Sequence, residues 1–308
     1  MTHTRSISFH RQYYAYTGGH QKVHDYLLHT TRAKGFAPDL FVENKSAINT
    51  QLFDNLPGVA YSQQYRPDNF DVAFLAGMDW QAYAPFFDPK QVKINLIQHV
   101  RHGDPKHPLH RFLQHRAVRL CVSEAVKQAI EPYANGPCIA IKMGYQMAEV
   151  KARKTQDLYI LATKQPQLGR DICQWAQQKG LSVVLHDSPV ERRQVHQAMA
   201  ESRVTLTLPN KTEGFYLPGI EAMALSDWAI VPDCIASREY TLKGANISSC
   251  ELSMQSCQQA VDQALAESGK WLAWLKQRRG RQITSGYQLD AEGEHYRRVL
   301  KDLDALYS

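Results

Sequence analysis

Glu213-Gly214-Phe215-Tyr216-Leu217-Pro218-Gly219-Ile220-Glu221 follows a strand-like run, Val204-Thr205-Leu206-Thr207-Leu208, and the turn-forming Pro209-Asn210-Lys211-Thr212. The alternation of β-branched and aliphatic residues stops at that turn. Pro218 suits the first helical position, where its missing N–H costs nothing, and Ile220, Met223, Ala224 and Leu225 continue as an apolar face. The stretch therefore reads as a strand, a glycine-containing loop and a helix start, with Glu213 in the loop and Glu221 in the first helical turn. A helix start presents unpaired N–H groups and the positive end of a dipole, which together hold a phosphate without any side chain. The flanking carboxylates are acceptors suited to sugar hydroxyls around a diphosphate. Taken alone, the same residues read equally well as a dipole-complementing Glu221 and a solvated Glu213.

Outward from this stretch the chain alternates strand and helix twice over. In the first half, residues 6–9 read as a strand, residues 11–20 as a loop containing Gly18 and Gly19, and the residues around Val23, Tyr26, Leu27 and Leu28 as a helix. The full Gly-x-Gly-x-x-Gly fingerprint is absent, which argues against a nicotinamide-dinucleotide site. The tyrosines of this loop, Tyr13, Tyr14 and Tyr16, fit either a sugar site or packing over a sheet edge. Residues 39–42, 71–76 and 92–98 are apolar runs of the kind found in parallel strands covered on both faces. The last of them enters the histidine-rich, basic loop His99 to Arg111. A loop at the carboxyl end of a parallel strand faces the ligand crevice, so His99 and His102 are candidates for touching a sugar, while a solvated basic loop is the plain alternative. Its histidines lack helix-fixed spacing and matched acidic or cysteine partners, so no metal site is indicated. Residues 119–122 with Ser123 as N-cap lead into a helix, residues 138–144 read as a further strand, and the charged residues 151–156 mark a domain boundary. Beyond it come strands at 158–162 and 182–185, helices at 171–178 and 191–200, a loop from Thr163 to Arg170, and a strand at 229–232 after the central stretch.

The 308 residues suffice for two domains of roughly 150 residues each. With 44% hydrophobic residues, no apolar run approaches the roughly 20 residues of a membrane span, and the polar start Met1-Thr2-His3-Thr4-Arg5 is unlike a signal peptide, so a cytoplasmic protein is expected. The six cysteines contain no Cys-x-x-Cys pair and suggest neither zinc nor a disulfide framework. A net charge of +6 favours an anionic partner without choosing among a nucleotide, a lipid headgroup, an acidic glycan and nucleic acid. Residues 270–279, with Trp271 and Trp274 among lysines and arginines, fit either a basic amphipathic helix on an anionic membrane or a helix whose tryptophans are packed; the packed form is the expectation.

Residues 213–224 resemble, over consecutive positions, the glutamate, seven residues, glutamate motif of retaining GT-B glycosyltransferases. The resemblance implies an α/β protein with two Rossmann-like domains facing each other across a cleft: residues 1–148 on the acceptor side, 149–286 holding the nucleotide-sugar donor, and 287–308 a terminal helix returning to the first domain. It implies that Glu213 faces the donor sugar, that Glu221 binds the donor ribose, and that the backbone of Gly214, Phe215, Tyr216 and Leu217 approaches the diphosphate. Gly18 and Gly19 match a glycine pair near the donor phosphates, and Val122-Ser123-Glu124 resembles a valine-serine-glutamate helix start of that family. His99 corresponds to a histidine that touches the donor sugar, His186 lies in the region that holds the base, and either Lys164 or Arg170 stands for the cations that neutralise the leaving diphosphate. Tyr16, His20, Arg101 and His102 are acceptor-side candidates, with Lys106, Arg111 and Arg116 as attraction for an anionic acceptor. Tyr216, where a glycine is commoner, and Ser226-Asp227-Trp228 depart from the family pattern. Asp302-Leu303-Asp304 superficially matches the metal-binding Asp-x-Asp of the other large glycosyltransferase fold, but a terminal helix marks it as solvated surface.

The implied activity is transfer of a sugar, with retention, to a glycan, lipid-linked or other anionic acceptor in surface polysaccharide or glycoconjugate assembly. No cofactor, no metal and no nucleic acid partner is expected, and peripheral contact with the inner face of a membrane is compatible with the basic segment. The alternatives are an inactive nucleotide-sugar-binding or scaffold protein, and a sugar phosphorylase or hydrolase of the same fold.

Overall fold

The computed structural model describes residues 4–14, 17–43, 52–146, 150 and 152–308. Tyr16 therefore lies outside the described residues, as do Lys151 and residues 147–149 at the expected domain boundary. The chain divides into two units, Met1–Gly144 with Leu289–Ser308, and Tyr145–Gln288.

In the first unit the apolar runs become β1 (Arg5–Arg11), β2 (Phe36–Val42), β3 (Ala60–Tyr61), β4 (Val72–Ala76), β5 (Val92–Ile97), β6 (Val118–Cys121) and β7 (Cys138–Ala140). They form one parallel sheet in the order β3-β2-β1-β4-β5-β6-β7, joined by α1 (Gly18–Thr31), α2 (Asp79–Tyr83), α3 (Glu124–Ile130) and short 3-10 turns. Ile7, Phe9, Leu40, Phe74, Ile94 and Leu120 are fully or almost fully buried in it, which is why the strands read as continuous apolar runs. β1 extends to Arg11, beyond the stretch read from sequence, because Arg11 pairs with Val42 in register and its guanidinium is neutralised by Asp79. Gly18 and Gly19 belong to the first turn of α1, not to a loop, since Thr17 caps the helix by accepting from the N–H of His20 at 3.2 Å. β7 ends at Ala140, short of the expected Gly144, with one further ladder bond from the Ile141 N–H to the Cys121 carbonyl.

The second unit carries β8 (Gln156–Leu161), α4 (Pro166–Gln178), β9 (Val183–His186), α5 (Arg192–Glu201), β10 (Ser202–Thr207), α6 (Leu217–Leu225), β11 (Trp228–Pro232), β12 (Ile247–Cys250), α7 (Met254–Ser268) and α8 (Ala273–Ser285). Its parallel sheet has the order β12-β11-β10-β8-β9. Leu158, Ile160, Ile172, Val204 and Val261 pack in one cluster of buried residues, and Tyr159, Met199, Ile220, Met223 and Val231 in another. α4 starts at Pro166, so Arg170 lies on a helix and not in the expected loop. The sequence Pro166-Gln167-Leu168-Gly169 suggests a turn, but Pro166 occupies a tolerated first helical position and Gly169 serves close packing: a Cβ there would lie 2.2 Å from that of Ala162. The expected packing of the tryptophans is overturned, since Trp271 is 84% and Trp274 51% exposed.

The last helices, α9 (Leu289–Lys301) and α10 (Leu303–Tyr307), belong to the first unit. Lys22 on α1, 2% exposed, donates to both oxygens of Glu292 at 2.9 and 2.7 Å and to the Gly144 carbonyl at 2.7 Å, and pairs with Asp25 at 2.8 Å. His29 faces the same Glu292 at 3.2 Å. Arg116 is engaged here and not with a ligand: its guanidinium donates to the carbonyls of Tyr307 and Ser308. Asp304 is solvated and pairs with Arg5 at 2.7 Å.

Candidate active site

In the second unit the chain leaves β8 for β9 on one side and returns to β10 on the other, so its topological switch point lies between β8 and β10. Loops at the carboxyl ends of these two strands border the crevice where open α/β sheets bind ligands. The loop after β10 is held there by side-chain and backbone bonds. Gln165 Nε2 donates to Pro209 O at 3.4 Å and to Asn210 Oδ1 at 3.3 Å, and Asn210 Nδ2 donates to Glu213 Oε1 at 3.1 Å. The N–H groups of Ile235 and Ala236 reach the carbonyls of Lys211 and Glu213 at 3.2 and 3.0 Å. Glu213 is thus half-buried on a braced loop, with an orientation fixed by Asn210.

α6 opens at Leu217 and has no side-chain cap; Pro218 carries no N–H and the Gly219 N–H reaches the Tyr216 carbonyl at 3.3 Å, so the Leu217 N–H is the donor left at its start. Pro218 is its second residue and Glu221 its fifth, one residue further into the helix than the sequence reading placed the carboxylate. The shift arises because proline lacks only an N–H that the first turn leaves unpaired anyway, so the helix starts before it. Gly219 permits the tight docking of this end: a Cβ there would stand 2.4 Å from Tyr240 Oη and 2.9 Å from Val231 Cγ2. Gly214 and Tyr216 are buried, Phe215 and Leu217 half-buried. The Tyr216 ring is 5% exposed and packs in the core with Tyr159 and Tyr240, so this side chain does not reshape a sugar pocket; its carbonyl accepts from Tyr240 Oη at 3.0 Å.

Glu221, 4% exposed, accepts through Oε1 from Arg192 Nη2 at 2.8 Å and Nε at 3.2 Å, and its Oε1 lies 2.7 Å from His196 Nε2. Oε2 accepts from no described residue, which leaves one oxygen of a fixed carboxylate for a ligand hydroxyl. Tyr145 and Tyr159 stand close by: burial, and then the Glu221 charge, push both phenols above their ordinary value. Tyr159 Oη lies 2.9 Å from His186 Nδ1, and burial lowers the His186 imidazole, so His186 joins the Glu221 cluster as a neutral ring. Arg170 is committed to Asp187 at 2.7 Å, whereas Lys164 is exposed and has no partner among the described residues.

The first unit has its own switch point, between β1 and β4, and a cavity of about 430 Å³ lies there. His10, Arg11, His20, Glu43 and Asp79 line it. His10 Nδ1 lies 3.1 Å from Asp79 Oδ1 and its Nε2 lies 2.9 Å from Glu43 Oε1, while the other Asp79 oxygen takes Arg11 Nη2 and the Ala76 N–H, the latter at 2.8 Å. Burial and the Arg11 charge lower the His20 imidazole against a smaller opposing effect of Asp79, and His20 Nδ1 is buried without a partner. In front of α1 an added Cβ at Gly18 would meet nothing within 4 Å, so the helix start is open. His99 is half-buried and begins the 3-10 turn Val100–Gly103. His102 is 5% exposed and stacks on His107, and burial followed by the charges of His107, His99 and Arg101 lowers it to about 3. It is a buried, neutral ring packed on His107, whereas Arg101 is exposed.

Sequence reasoning missed Arg192, His196, Asn210, His10, Arg11, Glu43 and Asp79, because pairs such as Glu221 with His196 are distant in the chain and no local spacing announces them. No group of three His, Cys, Asp or Glu suited to a metal occurs among the described residues, and no helix there is long and apolar enough to cross a membrane.

Two Rossmann-like units built on parallel sheets match the GT-B glycosyltransferase fold. The chain is similar to Anabaena HepE in complex with UDP-glucose, with a TM-score of 0.70 at 12% identity, covering 97% of this chain and 100% of that one. It is similar to sucrose-phosphate synthase from Thermosynechococcus elongatus, with a TM-score of 0.70 at 12% identity over 98% and 99% of the two chains. A glycosyltransferase from Rickettsia africae gives a TM-score of 0.73 at 11% identity over 97% and 98%. No protein-family model and no curated protein matches the sequence.

Proposed function

We propose that the protein is a retaining glycosyltransferase that takes its sugar from a nucleotide sugar. The observation that carries this reading is Glu213 and Glu221 standing on either side of the uncapped start of α6, at the carboxyl edge of the second unit's sheet. In this reading the Leu217 N–H with the positive dipole end at the start of α6, and Lys164, which has no partner among the described residues, bind the diphosphate, Glu221 accepts from the ribose, and His186 with Tyr159 borders the base. Departure of the diphosphate from the anomeric carbon leaves an oxocarbenium-like sugar facing Glu213. The acceptor hydroxyl then bonds that carbon on the face the diphosphate left, and its proton passes to the departing phosphate oxygen. Arg170 takes no part, because Asp187 holds it. The acceptor belongs to the first unit, at the cavity bordered by His20, Glu43 and Asp79, and His99 keeps the donor-sugar contact that the family resemblance implies. The start of α6 and Lys164 provide for the diphosphate charge, so the reaction is assigned no metal. HepE, a structural neighbour, was crystallised with UDP-glucose, which makes that compound the first donor to test.

The deciding experiment measures nucleoside diphosphate release from a panel of nucleotide sugars in a chelator, with and without glycan and lipid-linked acceptors. Release that depends on an acceptor is the expected result. Free sugar at the same rate without acceptor identifies a hydrolase, sugar phosphate formed only with added phosphate identifies a phosphorylase, and donor binding without turnover identifies a binding protein.

Glu221→Gln tests the donor side separately. Glutamine keeps an oxygen for Arg192 and His196 but places an amide donor where the ribose needs an acceptor. A hydrogen bond to a charged group is worth about 1.5–3 kcal/mol, so UDP affinity by calorimetry falls roughly tenfold or more. Unchanged affinity in a folded variant removes Glu221 from the nucleotide site.

A further inference from the structure

Four large apolar side chains crowd the turn into α8 and its first residues, and all face solvent: Trp271 at 84%, Leu272 at 42%, Trp274 at 51% and Leu275 at 44% relative exposure. A soluble surface seldom gathers two tryptophans and two leucines in so short a span, since each forfeits burial worth roughly 1.5–3 kcal/mol. The same exposed side of the helix changes character one turn on. Trp274 and Leu275 are followed four residues later by Arg278 and Arg279, with Arg281 beyond, all exposed. Ala273, Gly280 and Thr284 form the buried side that packs inward.

Charge decides the occupant. Glu267 at the end of α7 takes both neighbouring lysines, Lys270 and Lys276, and so spends the local negative charge on them. α8 contains no acidic residue, and Arg278, Arg279 and Arg281 have no side-chain partner among the described residues. A tryptophan-leucine cluster with unpaired arginines one turn along matches a bilayer interface bearing anionic headgroups: indoles settle at the headgroup level, leucines reach the acyl boundary, and arginines meet phosphates. A second copy of this patch would bring like charges together, and a purely apolar partner would leave the arginines unmatched.

We propose that Trp271, Leu272, Trp274 and Leu275 with Arg278, Arg279 and Arg281 form a peripheral docking surface for an anionic lipid bilayer. The assignment does not depend on the reading of the active site, since none of these residues was given a role there.

Full-length protein mixed with extruded vesicles of phosphatidylcholine, alone or with a third phosphatidylglycerol, tests it by co-sedimentation and tryptophan emission. Binding to the anionic vesicles is expected to exceed binding to the neutral ones at least tenfold, to fall as salt rises, and to shift emission to the blue. Trp271→Ala with Trp274→Ala lowers the partition coefficient by about tenfold or more, since two large aromatic surfaces stay in water. Arg278→Gln with Arg279→Gln lowers it by roughly fivefold per arginine on anionic vesicles, with no change on neutral ones. All four positions are exposed, so the variants keep the fold, which circular dichroism verifies. Equal binding to both vesicle types, or variants that bind anionic vesicles like the parent, overturns the proposal. So does concentration-dependent dimerisation abolished by the tryptophan pair in protein that ignores vesicles, which would assign the patch to self-association.

Discussion

Glu213→Gln is expected to leave donor affinity within a few-fold and to lower kcat by roughly 100-fold or more, the mark of an interaction made chiefly in the transition state. The argument starts from what the side chain touches at rest. Its one described side-chain bond is from Asn210 at 3.1 Å, and its main chain is braced by Ala236 at 3.0 Å. Glutamine retains an oxygen for Asn210 and leaves the backbone bonds intact, so the loop and the start of α6 keep their positions. What is lost, on the proposed glycosyltransferase reading, is a negative charge beside the donor sugar. That charge does little for a neutral ground-state sugar and much for the positive charge that develops as the diphosphate departs, in a site where the field acts without solvent reorganisation. Steady-state kinetics and calorimetry on one preparation separate the two contributions. Should affinity collapse while the saturated rate holds, Glu213 is a ground-state contact, and the charge-stabilising role passes to His99.

The parts of this protein that could be read from its sequence are those in which local chemistry dictates geometry. Runs such as Val72–Ala76 had to be strands covered on both faces, and Ser123 had to cap a helix, accepting from the Val126 N–H at 3.2 Å. Glu213 and Glu221 drew notice for a similar reason, since both flank a proline-marked helix start. The remainder depends on pairs brought together by the fold. Nothing near Glu221 in the chain foretells Arg192 and His196, nor does anything near His10 foretell Asp79, 3.1 Å away. Burial also reverses expectations that composition raises. His102 sits in a basic, polar stretch yet is buried, because the adjacent Gly103 comes so close to α3 that an added Cβ would stand 2.0 Å from the Ala129 carbonyl oxygen. The tryptophans of residues 270–279 go the other way: a helix amphipathic in sequence turns its aromatic residues outward, because Ala273 and Gly280 supply the contact side.

The second large effect is on stability. Lys22→Met is expected to destabilise the first unit by about 3–5 kcal/mol, the cost of leaving a buried carboxylate without its counter-ion. Lys22, Asp25, His29 and Glu292 are each at most 4% exposed, and the Lys22 ammonium is the charged centre of the group. Its bonds to Glu292 at 2.7 and 2.9 Å join α1 to α9, which returns from the far end of the chain. Methionine matches the lysine stem in length but supplies no donor, so Glu292 must either take up a proton or draw water into the core. The measurement is urea unfolding followed by hydrogen exchange of the α1 and α9 amides, because the two units need not unfold together. A second substitution, Glu292→Leu on top of Lys22→Met, should recover only the part of the loss that falls on Glu292, since Asp25, 2.8 Å from the Lys22 ammonium in the parent, still lacks that counter-ion. A single variant as stable as the parent would mean that the ion pair is solvated and that α9 is held by Tyr26 and Tyr296, whose rings meet edge to face at 4.9 Å. The network also sets an acid limit. Burial alone would raise the Asp25 carboxyl, but hydrogen bonds from His24 and Lys22 and the Lys22 charge outweigh it and hold the group below its ordinary value. A carboxylate depressed in the folded state adds stability that is complete above its unfolded pKa and is lost as pH falls through the folded one. The parent should therefore lose stability in that acid window, and Asp25→Asn, less stable at neutral pH, should lose less there.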